Sequence, residues 1–238
     1  MSKILVKDKD IAVPGESLAE GMDYLPGKGT YRDKEVIRAA ILGLVQIEGR
    51  AIKLIPLSGK YLPKKGDMII GKVKEIIMSG WIIDTNSAYH AMLGMRDATA
   101  DYIPKGADLT QYFTFGDYLV CKITNVTSQK LVDVTLRGPG LRKLREGRII
   151  TVNTHKVPRI IGKKGSMVSM IKQATDCNII VGQNGVIWLQ GKEPEMEFLA
   201  VDAIKKIESE SHLSGLTDRI KKFLEKATGK TITVAAGE

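Results

Sequence analysis

The stretch Val157-Pro158-Arg159-Ile160-Ile161-Gly162-Lys163-Lys164-Gly165-Ser166 constrains this chain more than any other. An apolar pair leads into a Gly-Lys-Lys-Gly loop, and a helical pattern leads out of it. Neither glycine carries a Cβ, so a sugar-phosphate chain can pass close to the backbone there. The two lysines between them supply charge for phosphates. Loops of this G-x-x-G form clamp about four nucleotides of a single strand. Gly162, Lys163, Lys164 and Gly165 are therefore candidate nucleic-acid-binding residues, with Lys156 and Arg159 just upstream. The competing reading is a glycine-rich helix-capping turn, and the surrounding sequence must decide between the two.

That surrounding sequence has a definite order. Arg148 to Asn153 reads as a strand, and Val157 to Ile161 as a short helix that tolerates Pro158 in its first turn. Ser166 is expected to cap a helix from Met167 to Thr175, whose Met167, Met170, Ile171 and Ala174 fall on one face. Asn178 to Val181 and Val186 to Gln190 flank Gln183-Asn184-Gly185, a hairpin signal. Pro194 opens a longer helix striped by Ala200, Ala203, Ile204 and Ile207. The order β-α-α-β-β-α resembles the KH domain, a single-strand-binding fold. A second G-x-x-G, Gly182-Gln183-Asn184-Gly185, joins two strands and opens no helix, so it is read as a turn only.

Charge supports the binding reading through its distribution. The formal net charge is +9, which favours an acidic partner such as nucleic acid. From Arg137 to Gly165 there are nine Lys/Arg against the single acid Glu146. Arg142, Lys143, Arg145 and Arg148 in this basic linker join the candidate RNA-binding residues. A charge run is more often a solvated face, but this one leads into the G-x-x-G loop.

Upstream, Pro63 to Asp67 opens a run of short strand-like segments: Met68 to Met78, Trp81 to Asp84, Tyr89 to Met95, Tyr118 to Asn125 and Leu131 to Leu136. Five such segments suit a small closed OB-type barrel. Gly71-Lys72-Val73, Gly80-Trp81-Ile82-Ile83-Asp84, Phe115 to Ile123 and Val132 to Arg137 resemble the strands of an S1 domain, an RNA-binding OB fold. Trp81 and Tyr89 are candidate stacking platforms for bases; for Trp81 the stronger reading is a core residue. Lys72, Lys74, Arg96 and Lys122 are candidate phosphate contacts. Arg96 to Phe113 is longer than a bare barrel needs, and a binding or docking loop is expected there.

The fold class expected is multidomain, mainly β followed by α+β. Residues 1–62, punctuated at Pro14-Gly15-Glu16, Gly43 and Glu48-Gly49-Arg50, form a small antiparallel β unit. Residues 63–137 form the S1-type barrel and 145–212 the KH domain. Residues 213–238 hold an amphipathic helix over Leu216 to Ala227, stopped near Gly229, and a disordered end. That helix would be marginal alone and is expected to pack on something.

Several classes lose support. Cys121 and Cys177 are far apart and have no metal-spaced partners, so buried free thiols are expected. His90, His155 and His212 are isolated. Asp84, Asp97 and Asp101 offer the one conceivable metal cluster, but acids at strand ends usually form turns. No P-loop, H-E-x-x-H or G-x-S-x-G pattern is present. No catalytic residue, metal or cofactor is expected. With no leader and no apolar run of spanning length, a soluble cytoplasmic protein is expected.

Domain order separates the families that share these parts. Polynucleotide phosphorylase carries KH before S1, and NusA carries S1 before two KH units. An N-terminal β unit, then S1, then one KH resembles the RNA-binding cap subunit of the archaeal exosome, of the ribosomal-RNA-processing-protein-four type. The resemblance spans about residues 8 to 215. It is carried by Val13-Pro14-Gly15-Glu16, by Gly138-Pro139-Gly140-Leu141-Arg142-Lys143-Leu144 leading into Gly147, and by Lys156 to Met167. It implies a non-catalytic subunit present in three copies on a ring of RNase PH-like subunits. Such a cap binds single-stranded RNA and threads its 3′ end into the ring. In that family the N-terminal domain makes most of the ring contact, the S1 domains surround the pore, and related caps favour A-rich RNA. A free-standing S1/KH regulator of translation or transcription, and a nuclease using the barrel acids, are the alternatives.

Overall fold

The computed structural model describes residues 3–104, 106–211, 213 and 215–229. The chain forms two compact units, Met1–Gly59 and Lys60–Glu238.

The first unit is built from β1 (Lys3–Ile4), β2 (Ile11–Ala12), β3 (Ser17–Glu20), β4 (Leu25–Pro26), β5 (Thr30–Asp33), β6 (Val36–Ala39), β7 (Gly43–Glu48) and β8 (Ala51–Pro56). They pair as two four-stranded sheets, β1-β3-β6-β5 and β2-β7-β8-β4. All pairs are antiparallel except β4 with β8. Leu18, Ile37, Val45, Ile52 and Leu54 form its core. Gly49-Arg50 makes the expected tight turn, since Glu48 pairs with Ala51. Gly43 lies inside β7 opposite Pro56 and is no turn. Its missing side chain serves close strand packing.

The second unit opens with β9 (Met68–Ile77), β10 (Gly80–Asp84), β11 (His90–Gly94), the one-turn helix α1 (Met95–Ala98), β12 (Tyr118–Val126) and β13 (Val132–Thr135). The strand order β13-β11-β10-β9-β12, with β12 also bonded to β13, closes a five-stranded barrel of OB type. The long segment between β11 and β12 closes over the barrel. Its Ile103, Leu109 and Phe113 are buried in the barrel core, so part of the segment expected to bind or dock packs on the barrel, while Tyr102 stays 84% exposed.

The presumed linker is itself structured. Arg142–Lys143 forms β14, a short strand added to the edge of β12, with Leu119 opposite Lys143 and Val120 opposite Arg142. Leu144 N–H then donates to Tyr118 O at 2.8 Å.

The remainder follows the β-α-α-β-β-α order: β15 (Arg148–Thr151), α2 (Val157–Ile161), α3 (Ser166–Thr175), β16 (Asn178–Val181), β17 (Val186–Gln190) and α4 (Pro194–Glu210). The sheet order is β15-β17-β16. Gly165, not Ser166, sits at the cap of α3, and no side chain caps that helix. One face of the sheet, with Ile179, Ile187 and Leu189, packs against the helices. A further helix, α5 (Leu216–Thr228), joins that core through Leu216, Ile220 and Leu224. It ends where expected, at Gly229, whose N–H donates to Glu225 O at 2.9 Å. His212 and the C-terminal residues beyond Gly229 lie outside the described residues. Among the described residues, no helix is long and apolar enough to cross a membrane.

The other face of the KH sheet covers the barrel. Val186, Trp188, Ile149 and Ile180 meet Ile70 and Val120 of the barrel strands, together with Leu144, Tyr118 and Leu141. This double burial explains the unbroken apolar run Val186-Ile187-Trp188-Leu189, since a strand covered on both faces needs no polar alternation.

Candidate nucleic-acid interface

The Gly162–Gly165 loop is held in a backbone that its glycines require. Gly162 lies at φ 76° and Gly165 at φ 82°. A Cβ on Gly162 would come within 2.7 Å of Met167 N, so no other residue fits without shifting the start of α3. Gly162 N–H donates to Pro158 O at 3.0 Å, ending α2 at the loop. Lys163 and Lys164 are both exposed, and Lys164 itself adopts left-handed φ 50°. Arg159 is exposed and Lys156 half-buried just upstream. The helix pair thus presents a bare, cationic bend of backbone.

The second G-x-x-G has a different task, which its reading as a turn missed. Asn184 is fully buried between the two folds. Its Nδ2 donates to Ile70 O at 2.8 Å and Thr85 O at 3.0 Å, and its Oδ1 accepts from Ile70 N at 3.3 Å. Gln183 N–H donates to Met68 O at 2.9 Å, and Asn86 Nδ2 donates to Asn184 O at 3.1 Å. A Cβ on Gly182 would lie 2.8 Å from Ile70 N, so glycine is needed for the turn to approach strand β9. This loop fastens the KH fold to the barrel.

Two clefts open along the same seam. The larger, about 550 Å³, is lined by Arg142, Lys143, Leu144, Arg145, Trp188 and Gln190. The smaller, about 130 Å³, is lined by Lys72, Asp84, Asn86, Tyr118 and neighbouring residues. Three of the basic candidates are therefore brought together on one concave surface, joined by Trp188 and Gln190, which the sequence did not single out. The apolar run of β17 was the available signal for Trp188.

The remaining candidates divide by exposure and engagement. Trp81 is fully buried, its Nε1 donates to Phe113 O at 3.0 Å, and it meets Phe113 edge-on at 5.1 Å between centroids. It is a core residue with no face for a base. Tyr89 is half-buried against the barrel core. Lys72, Lys74, Arg96 and Lys122 are exposed, but Lys74 Nζ contacts His90 Nε2 at 2.9 Å. Lys72 Nζ stands 5.7 Å from the Tyr118 ring centroid. Arg148 is engaged inside the KH fold, over the Phe198 ring at 4.4 Å and 3.7 Å from Glu197. Lys143 pairs with Asp117 at 2.6 Å. Partial burial pushes the Asp117 carboxyl up, but the Lys143 ammonium and the Thr114 donors outweigh it and hold it below the usual carboxylate range.

Asp84 Oδ1 accepts from Asn86 N–H at 2.9 Å, a turn-forming role. Among the described residues no group of His, Cys, Asp or Glu is arranged to hold a metal. Both cysteines are buried and free, and burial pushes the Cys121 thiol up to about 12.

Comparison with known proteins agrees with this architecture. The family described as "KH domain" matches residues 147–195, and "Exosome complex exonuclease RRP4 N-terminal region" matches residues 11–48. The exosome complex component Rrp4 of Methanothermus fervidus is 45% identical over 222 residues, covering 93% of this chain and 97% of that protein. That of Thermococcus kodakarensis is 42% identical over 227 residues, covering 94% and 88%. A crystal structure assigned to an exosome complex RNA-binding protein superposes with TM-score 0.64 at 36% identity, covering 71% of this chain and 97% of the other. The chain belongs to the Rrp4 family of archaeal exosome components.

Proposed function

We propose that this protein is a non-catalytic RNA-binding subunit of the archaeal exosome. It captures single-stranded RNA and threads its 3′ end into an RNase PH-like ring for degradation from that end. The observation that carries this reading is the coupling of two single-strand-binding folds through buried Asn184, with the basic strand β14 along their seam. A rigid pair of folds sets the direction in which a strand leaves the surface. Cations concentrated on it attract RNA through counterion release.

The first unit, Met1–Gly59, is the docking part in this proposal. Ile11, Leu44 and Ile55 are cross-strand partners in one row, and Ile11 is 63% and Ile55 48% exposed. Cross-strand partners share a face, and an exposed apolar row of this kind marks an interaction surface. Three copies on one ring would raise avidity without any single tight contact. The setting of this assembly is the cytoplasm.

Tagged protein recovered from native extract, followed by mass spectrometry, tests the assignment. RNase PH-like subunits should co-purify, and Ile11→Glu/Ile55→Glu should lose them while still binding RNA. A monomer that binds RNA and recovers no ring subunits would favour a free-standing regulator.

A further inference from the structure

The cleft at the barrel–KH seam is distinct from the G-x-x-G loop in its residues and in its construction. Its volume, about 550 Å³, lies in the range of about 300–1,000 Å³ found for ligand sites. Its cations are not equivalent. Lys143 is committed to Asp117 at 2.6 Å. Arg142 and Arg145 are exposed and make no ion pair among the described residues. A guanidinium presents a planar fork of donors that matches a phosphate bidentately.

The opposite wall is aromatic and amide. Trp188 is only 4% exposed, so its ring is fixed by packing against Leu144, Val120 and Ile70. Its indole N–H, packed beside Gly147, has no acceptor within the protein. Gln190, half-buried at the end of β17, adds an amide with both donor and acceptor character. Two guanidiniums in one cleft with a rigid indole and an amide offer groups for both the phosphate and the base of a single strand. The phosphate takes the cations, and the base takes the Gln190 amide and packs beside the small part of Trp188 that lines the cleft.

We infer that this cleft seats one nucleotide of the bound RNA, with its phosphate on Arg142 and Arg145 and its base against Trp188 and Gln190. The inference rests on the RNA-binding reading above and deepens it. Because β14 and β17 belong to different folds, the seated nucleotide bridges the barrel and the KH domain. It fixes the path of the strand between them.

The chain has two tryptophans, and one of them, Trp81, is sealed in the barrel core. Both indoles emit, but a ligand in the cleft meets Trp188 alone, so a change in emission on binding that Trp188→Phe removes reports on the cleft. A 5′-labelled single-stranded oligonucleotide is titrated onto the full chain, read by label anisotropy and by indole emission together. The expected result is an indole change that saturates with the anisotropy. Arg142→Glu/Arg145→Glu should abolish that change, weaken binding at least tenfold and lower the salt slope by about 0.7, the share of the one phosphate that the two arginines hold. Lys163→Asp/Lys164→Asp should weaken binding yet retain the indole change at saturation. RNA binding with an unchanged indole signal, and arginine-variant affinity within twofold of the parent, would overturn the cleft while leaving the RNA-binding reading intact. No anisotropy change with the parent protein would overturn both.

Discussion

The side chain of Asn184 bonds both backbone groups of Ile70, donating to its carbonyl at 2.8 Å and accepting from its N–H at 3.3 Å. One side chain of the KH fold thus pairs with a barrel strand as a neighbouring backbone would. The second hydrogen of the same amide reaches Thr85 O at 3.0 Å, which fixes the flip of the amide without ambiguity. Asn184→Ala would leave these groups buried without partners, at about 1–3 kcal/mol each. Asn184→Asp should be worse, because a second carboxylate oxygen would face two carbonyl oxygens. Urea unfolding should show a lowered midpoint for both, with the barrel and KH transitions beginning to separate.

The Gly162–Gly165 loop is best tested through its lysines. Any side chain at Gly162 meets Met167 N at 2.7 Å and would disturb α3 itself. Lys163 and Lys164 are exposed, and the left-handed backbone at Lys164 suits aspartate better than most residues. Lys163→Asp/Lys164→Asp should lower single-stranded RNA affinity at least tenfold. Its stability should stay within about 0.5 kcal/mol, as for other surface changes. Anisotropy and thermal melting measure the two effects separately.

How much of this was legible beforehand follows from sequence distance. The G-x-x-G loop, the α3 stripe and the Gly229 stop depend on residues a few positions apart, and local pattern exposes them. The barrel strands showed through their spacing. The role of Asn184 did not, because its partner Ile70 is distant in the chain and Asn-Gly alone reads as a hairpin turn. The strand β14 was equally hidden, since Arg142-Lys143 has no strand pattern and is ordered only by the edge of β12. Trp81 and Trp188 both sit in apolar strands. Only the packing shows that the first is enclosed and the second walls a cleft.

Trp81 gives a prediction that separates packing from recognition. Trp81→Ala should cost about 3–5 kcal/mol, as for other large aromatic truncations in a core. Under conditions where the variant remains folded, its RNA affinity should match the parent. Equal loss of affinity in the folded variant would mean that the ring contributes to binding after all.

The ion pair that anchors β14 should respond to acid. Asp117 is held below the usual carboxylate range by Lys143 and Thr114, against the effect of its partial burial. A carboxyl lowered in the folded state stabilises fully above its unfolded pKa of about 3.9. That stabilisation is lost as pH falls through the lower folded value. The stability difference between the parent and Asp117→Asn should therefore be constant from pH 7 to about 5 and shrink below about pH 4. Urea midpoints measured across that range test it.

The central claim is that this chain captures RNA for degradation by others. It is tested most directly by following a single-stranded RNA, labelled at its 5′ end, in the presence of phosphate. The assay compares the protein alone, RNase PH-like ring subunits alone, and the two together. The account predicts no shortening by the lone protein and faster decay by the combination than by the ring at limiting RNA. Lys163→Asp/Lys164→Asp should remove that gain. Shortening by the lone protein, or no gain on adding it to the ring, would contradict the account.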